Sequence, residues 1–296
     1  MTIAFHNGDF LPLESVCISP LDRGFLFGDS VYEVIPSYGG EPFLLDEHLD
    51  RLARSLAGIR LPDPYPRAEW EGLLHRLLRE NGGDRAGDLG IYLQVTRGVA
   101  PRDHAFPQAT PPTVFAMVSP IRALADSTRR EGVAAVTGED HRWGRCDIKA
   151  TTLLANVLAR QTATEQGAAE AILLSGGQVS EGAASNVFAV IGDTVVTPPL
   201  APSLLPGITR ALVIRLIRDA GFALAERPLS EAELRSAREI WLTSSTREVL
   251  PVTRLDGVPV GDAVPGPVWQ AVHAAYQAAK PGTAGAAAAV REGDKT

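Results

Sequence analysis

The stretch VSEGAASNVFAVIGDTVVTPPLAPSLLPGITR, Val179 to Arg210, decides the fold. Its first part, with the preceding Gln178, and the later DTVVTPP read as strands rich in β-branched residues, with the pair Gly176-Gly177 as the turn that leads in. Glu181 stands at the end of the first of these strands among small residues that let another group come close. Leu205-Pro206-Gly207 then opens a helix that ends at Gly221. Gly207, Ile208 and Thr209 sit where free backbone N–H groups and the positive end of the helix dipole suit an anion. Ordinary capping accounts for the same residues equally well, and a lone carboxylate means little.

Upstream, AEAILLS is another strand, and a helix is expected from about Thr151 to Gln166. Just before it, RCDIKATTLLANVLAR (145–160) contains Lys149, one of only three lysines among 28 basic residues. The other two, Lys280 and Lys295, lie at the C-terminal end, so Lys149 alone falls inside the folded body. An ε-amine can lose its proton and attack a carbonyl, which a guanidinium cannot do. The alternative is a structural lysine paired with Asp147. Downstream, LTSSTREV (242–249) ends an apolar strand on four hydroxyl residues in a row, among them Ser244 and Ser245, which suit either a phosphate or a turn.

The N-terminal part opens as a hairpin about Asn7-Gly8-Asp9, then a second strand pair, VYEVIPSY and EPFLL, joined by Gly39-Gly40. Helices follow from Asp46, a candidate cap, to about Ala57 and from Arg67 to Glu80, and then strands GIYLQVTRG and TVFAMVSP. Between those strands VAPRDHAFPQATPP is a loop too long to be a simple connection. These features predict an α+β fold with a small domain over 1–119, a linker over 120–127, a larger β-rich domain with Lys149 over 128–280, and a mobile tail over 281–296.

Composition narrows the function. The chain has 296 residues, 45% of them hydrophobic and 21% charged, with a formal net charge of −7. Interspersed acidic charge gives no footprint for nucleic acid, and no apolar run is long enough to span a bilayer. Cys17 and Cys146 are widely separated, form no metal spacing and suit a reducing cytoplasm. Small-molecule partners are expected, with no metal.

The order Lys149, Glu181 to Asn186, Leu205-Pro206-Gly207-Ile208-Thr209-Arg210 and Thr243 to Thr246 resembles the class IV aminotransferases, the fold-type IV enzymes of pyridoxal 5'-phosphate. Glu181, Asn186, Phe188, Val195-Val196-Thr197 and Leu205 to Arg210 meet the spacing of that family's signature, and the likeness runs from about residue 2 to 275. The resemblance implies that Lys149 forms an aldimine with the cofactor and moves the Cα proton. It implies that Glu181 faces the pyridine nitrogen and keeps the ring protonated. Arg51, the backbone at Ile208 and Thr209, and a hydroxyl of Ser244 or Ser245 would hold the phosphate, with Arg142 supporting the Glu181 side. By spacing alone Arg51 would make a surface pair with Glu47. The family also implies a homodimer in which the Arg102 loop reaches the partner's site.

Within the family, VYEV, EHLDRL, VTRGVAPRDHAFP and RWGRCDIK look most like the D-amino acid aminotransferases. Tyr32, Arg102 and His104 match residues that bind the substrate carboxylate there. A planar guanidinium suits that group, although the loop residues alone would read as solvated polar side chains. The implied reaction moves the amine of a D-amino acid, such as D-alanine or D-glutamate, to pyruvate or 2-oxoglutarate in two stages. Ala183 and Ala184 stand where close relatives often carry hydroxyls. Branched-chain L-amino acid aminotransferases, R-selective amine transaminases and aminodeoxychorismate lyases share the fold and remain alternatives, as does a phosphate-ligand binding protein without turnover.

Overall fold

A computed structural model of the chain describes residues 1–281. The chain divides into two compact units. Among the described residues the first is Met1–Arg122 with Ile148–Thr152, and the second covers Ala123–Asp147 and 153–281. The expected tail, apart from Pro281, lies outside the described residues.

In the first unit, strands β1 (Ile3–His6), β2 (Asp9–Pro12), β3 (Ser30–Tyr38), β4 (Glu41–Pro42), β5 (Leu89–Thr96) and β6 (Thr113–Pro120) form an antiparallel sheet in the order β2-β1-β6-β5-β3-β4. Asn7 and Gly8 both have positive φ, 50° and 105°, which lets the β1–β2 turn close in two residues. Short helix α1 (Arg23–Phe27) precedes β3, and α2 (Leu45–Gly58) and α3 (Arg67–Glu80) supply Leu49, Leu52, Leu56, Leu74 and Leu77 to one core with Val31, Ile35, Ile91 and Leu93 of the sheet. Leu44, at φ 57°, precedes the first turn of α2 with no side-chain cap, so Asp46 lies inside the helix and not at its cap.

Ile148–Thr152 belongs with this first unit, a difference from the sequence reading, which put Lys149 in the C-terminal domain. Ile148 and Ala150 are buried in the first unit's core. The backbone runs beside β3, with the Tyr32 N–H donating to Lys149 O at 3.0 Å and the Thr151 N–H to Ser30 O at 3.1 Å. This extended pairing also explains why the following helix begins three residues later than expected.

In the second unit, α4 (Asp126–Glu131) leads to β7 (Val133–Glu139), followed by α5 (Leu154–Glu165), β8 (Glu170–Ser175), β9 (Gln178–Gly182), β10 (Asn186–Ile191), β11 (Thr194–Thr197), α6 (Ile208–Asp219) and β12 (Ala223–Glu226). Next come α7 (Glu231–Arg235), β13 (Glu239–Ser244), β14 (Glu248–Leu255), β15 (Val258–Pro259) and α8 (Pro267–Ala278). The strands make one mixed sheet of nine in the order β12-β11-β10-β13-β14-β7-β8-β9, with β15 on β14. Among the described residues no helix is long and apolar enough to cross a membrane.

Candidate active site

The first unit carries Lys149 and its surroundings. Its backbone is held on both sides, since the Lys149 N–H donates to Ser55 Oγ at 3.2 Å while its carbonyl accepts from Tyr32. Ile148 and Ala150 are buried, and alternation along the extended segment turns the lysine the other way. Its Nζ lies 4.2 Å from the centre of the Tyr32 ring and forms no ion pair among the described residues. Asp147, the alternative partner, is taken by Arg145 through two bonds of 2.8 and 2.9 Å. The lysine is therefore not a structural counter-ion to its neighbour.

Arg51 is 3% exposed, so it is not the surface residue that its spacing from Glu47 suggests as a default. Its Nε and Nη2 fork onto the Glu33 carboxylate at 2.8 and 2.7 Å, and His48 Nδ1 bonds the same carboxylate at 2.8 Å. Burial alone would raise the Glu33 pKa. The charge and fork of Arg51, with the His48 hydrogen bond, outweigh it and hold the group down at about 2. Burial in turn lowers the His48 pKa against the pull of Glu33, so the imidazole stays neutral and donates. Sequence reasoning missed Glu33 and His48. A signal was present: Glu33 falls in the buried phase of β3 with Val31 and Ile35, and His48 lies on the leucine face of α2.

Tyr32, on the opposite phase of β3, also stacks on Tyr92 with ring centres 5.7 Å apart. Arg102 and His104 lie in the 97–112 loop with exposed side chains, and both approach the Phe27 ring, at 5.3 and 5.4 Å.

The second unit carries Glu181, on β9 and 5% exposed. Its carboxylate accepts from Asn186 Nδ2 at 3.0 Å and the Leu205 N–H at 3.1 Å, and pairs with Arg142. Arg142 is forked to Asp140 as well, at 2.7 and 2.9 Å. Burial opposes its charge, but the two carboxylates prevail and raise its pKa, so it stays protonated. Arg142 thus orients Glu181. Asn186 also donates to Leu205 O at 3.0 Å, which fastens the Leu-Pro-Gly turn to the strand bearing it. A Cβ at Gly207 would overlap Asn186 Oδ1, so the turn requires glycine. Gly207 is the N-cap of α6, and no side chain caps the first turn at Ile208 and Thr209.

Ser244 and Ser245 enter the turn between β13 and β14, where Ser244 Oγ accepts the Arg247 N–H at 3.3 Å. Beside them Thr243 Oγ1 is buried with no partner among the described residues. Ala183 is buried and its carbonyl accepts from Asn156, whereas Ala184 is exposed.

Chemically, the first unit offers an amine without an ionic partner among the described residues, against an aromatic face. The second offers a carboxylate fixed as an anion, an uncapped helix start and a hydroxyl-lined turn. The amino-transferase class IV family matches residues 30–255, a span that includes all of these except the Phe27 ring. The chain belongs to the class IV aminotransferases. As a class IV aminotransferase it is 41% identical to the D-alanine aminotransferase of Bacillus licheniformis over 271 residues, 92% of this chain and 94% of that one. It is likewise 41% identical to the D-alanine aminotransferase of Listeria monocytogenes, over 90% of this chain and 92% of that one. Among solved structures, the Escherichia coli branched-chain amino acid aminotransferase superposes with TM-score 0.86 at 27% identity, covering 93% of each chain. A T.th. branched-chain amino acid aminotransferase with pyridoxamine 5'-phosphate has the same TM-score, 0.86, at 28% identity, covering 93% of this chain and 92% of that one. The fold is that of the fold-type IV aminotransferases, as the sequence led one to expect.

Proposed function

We propose that this class IV aminotransferase uses pyridoxal 5'-phosphate to move the amino group of a D-amino acid, of the D-alanine and D-glutamate class, to pyruvate or 2-oxoglutarate. The observation that carries the reading is the Lys149 amine, held by its backbone over Tyr32 with no carboxylate among the described residues to neutralise it. The D-handed preference rests on 41% identity to D-alanine aminotransferases and on the Arg102-x-His104 pair. The likeness to branched-chain enzymes is at 27–28% identity.

The residues fit the cofactor. An uncapped α6 start and the Thr243 hydroxyl, without a partner among the described residues, suit a phosphate, and a buried, fixed carboxylate suits a ring nitrogen that must stay protonated. When bound, pyridoxal phosphate supplies the aldehyde that takes the amine and a ring that accepts the electrons of the broken Cα–H bond. Lys149 Nζ anchors it and carries the proton taken from Cα. Glu181, oriented by Arg142 and Asn186, holds a positive charge on the ring. The N–H groups of Ile208 and Thr209, with Arg51 and a hydroxyl of Ser244 or Ser245, bind the phosphate. Tyr32, Arg102 and His104 receive the substrate carboxylate.

The active form is a homodimer, in the cytoplasm. An exposed apolar stripe on α5, Leu154, Val157 and Leu158 at helical spacing, supports a second copy as its cover. Both cysteines are free, which accords with a reducing compartment.

A panel of D- and L-amino donors with pyruvate and 2-oxoglutarate tests the reaction and its handedness together. Turnover of D-alanine and not L-leucine is expected, and the reverse pattern would transfer the chain to the branched-chain reading. Lys149→Arg keeps the charge and removes the amine chemistry, so activity should fall by about 10³-fold or more.

A further inference from the structure

The loop that carries Arg102 and His104 has no strand or helix of its own, yet it is tied down at its backbone. Arg23, the first residue of α1 and 3% exposed, sends Nη1 to the carbonyls of Asp103 at 2.6 Å and Ala105 at 3.3 Å, and Nη2 to that of His104 at 3.5 Å. Its Nε bonds Asp29 Oδ2 at 2.8 Å. Asp29 is also gripped by Arg97, at 2.8 and 3.0 Å, and Arg97 lies over the Phe106 ring at 3.7 Å. Arg60 approaches the same ring at 4.9 Å. The loop is therefore anchored at 103–105 and again at 106.

The side chains between these anchors share one platform. The Phe27 ring has the Arg23 guanidinium 4.9 Å from its centre, that of Arg102 at 5.3 Å and the His104 ring at 5.4 Å. Gly28, at φ 65°, ends α1 directly after this ring and turns the chain into β3, two positions before Ser30. The planar fork of one guanidinium takes three successive carbonyls, while the side chains of Arg102 and His104 meet the Phe27 ring. An ammonium group could not reproduce that pattern.

We infer that Arg23 and Phe27 are positioning residues, which hold Arg102 and His104 in place before the substrate carboxylate arrives. The inference rests on the reading of Arg102 and His104 as the carboxylate-binding pair. A loop ordered in advance spares each substrate the cost of ordering it, so the effect belongs in KM and not in the proton-transfer step.

The test uses the holoenzyme and steady-state kinetics with D-alanine and pyruvate. The variants are Arg23→Met, Phe27→Leu, Arg102→Leu and the two double variants with Arg102→Leu, each checked for cofactor absorbance. Arg23→Met and Phe27→Leu should each raise KM for both substrates by roughly tenfold or more, with kcat within about threefold of the parent and absorbance unchanged. On the Arg102→Leu background each should raise KM by clearly less than it does alone, because only His104 is left to position, a non-additivity that a merely structural role does not give. Unchanged KM in the single variants, or fully additive increases in the doubles, overturns the positioning role while leaving the carboxylate reading intact. If Arg102→Leu alone leaves KM unchanged, the carboxylate reading fails and this inference fails with it. Should Arg23→Met not fold, Phe27→Leu, which keeps an apolar side chain and removes only the ring face, decides the question.

Discussion

Glu181 shows how much one side chain depends on its neighbours. A carboxylate that accepts from an amide, a backbone N–H and a guanidinium is fixed in both charge and direction. Glu181→Gln keeps the shape and removes the charge, so the ring nitrogen loses its counter-ion. Under the proposed function kcat should fall by about 10²-fold with a smaller change in KM, since the charge matters most as electrons flow into the ring. Equal losses in a binding assay and in kcat would show that the residue only holds the cofactor. Glu33 is a residue of the other kind, buried within a pair that no solvent reaches. Removing one partner of such a pair costs about 3–5 kcal/mol, because the remaining charge is left uncompensated. Glu33→Gln should therefore lower unfolding stability by that amount, measured by denaturant titration at neutral pH. The carboxylate's folded pKa, about 2, lies below its ordinary 4.5, so its contribution is complete above about pH 4.5 and is lost as pH falls through about 2. The variant should show a flatter stability curve across that window than the parent.

At the scale of elements, the decisive feature is the junction between the β10 strand and the start of α6. Asn186, at the first position of β10, bonds both Glu181 and the Leu205 carbonyl, so one amide ties a strand, a turn and a helix start together. The glycine at 207 is required by that closeness. Gly207→Ala should push the turn off Asn186 and tilt the first N–H groups of α6. Loss of a charge-assisted bond or two to phosphate predicts a roughly 10- to 100-fold rise in the cofactor dissociation constant, read by spectroscopic titration, with little change in global stability. Unaltered cofactor affinity would separate the α6 start from the phosphate. The motif was legible in the sequence because its parts lie close together along the chain, in an order and spacing that local structure preserves. The reason for the glycine was not legible, because nothing in LLPGITR reveals that Asn186 comes within reach of it.

At the scale of the whole molecule, the exposed apolar stripe of α5 is the surface on which the proposed dimer is tested. Val157 and Leu158, each more than half exposed, would gain about 1–2 kcal/mol apiece if covered. A two-fold interface counts each substitution twice. Leu158→Glu should shift the dimer toward monomer by about 100-fold or more in dissociation constant and lower activity in parallel at dilute protein. Sedimentation that found an unchanged mass would show that this stripe is not the interface.

The sequence by itself determined most of the strands and the four helices α2, α3, α5 and α6, from their periods of alternation and of 3.6 residues, and it offered an amine, a carboxylate and a helix start of a kind that suits an anion. Only the tertiary structure decided which charges those groups meet. It gave Asp147 to Arg145 and left Lys149 over Tyr32, buried Arg51 against Glu33 where spacing suggested Glu47, moved the Lys149 segment into the first unit, and joined Arg23 to a loop 80 residues further on. The physical reason is one of range. Propensity, capping and short motifs act between residues a few positions apart, whereas a hydrogen bond or ion pair forms between whatever groups the packing of a sheet brings within about 3 Å, and separation along the chain does not enter into it.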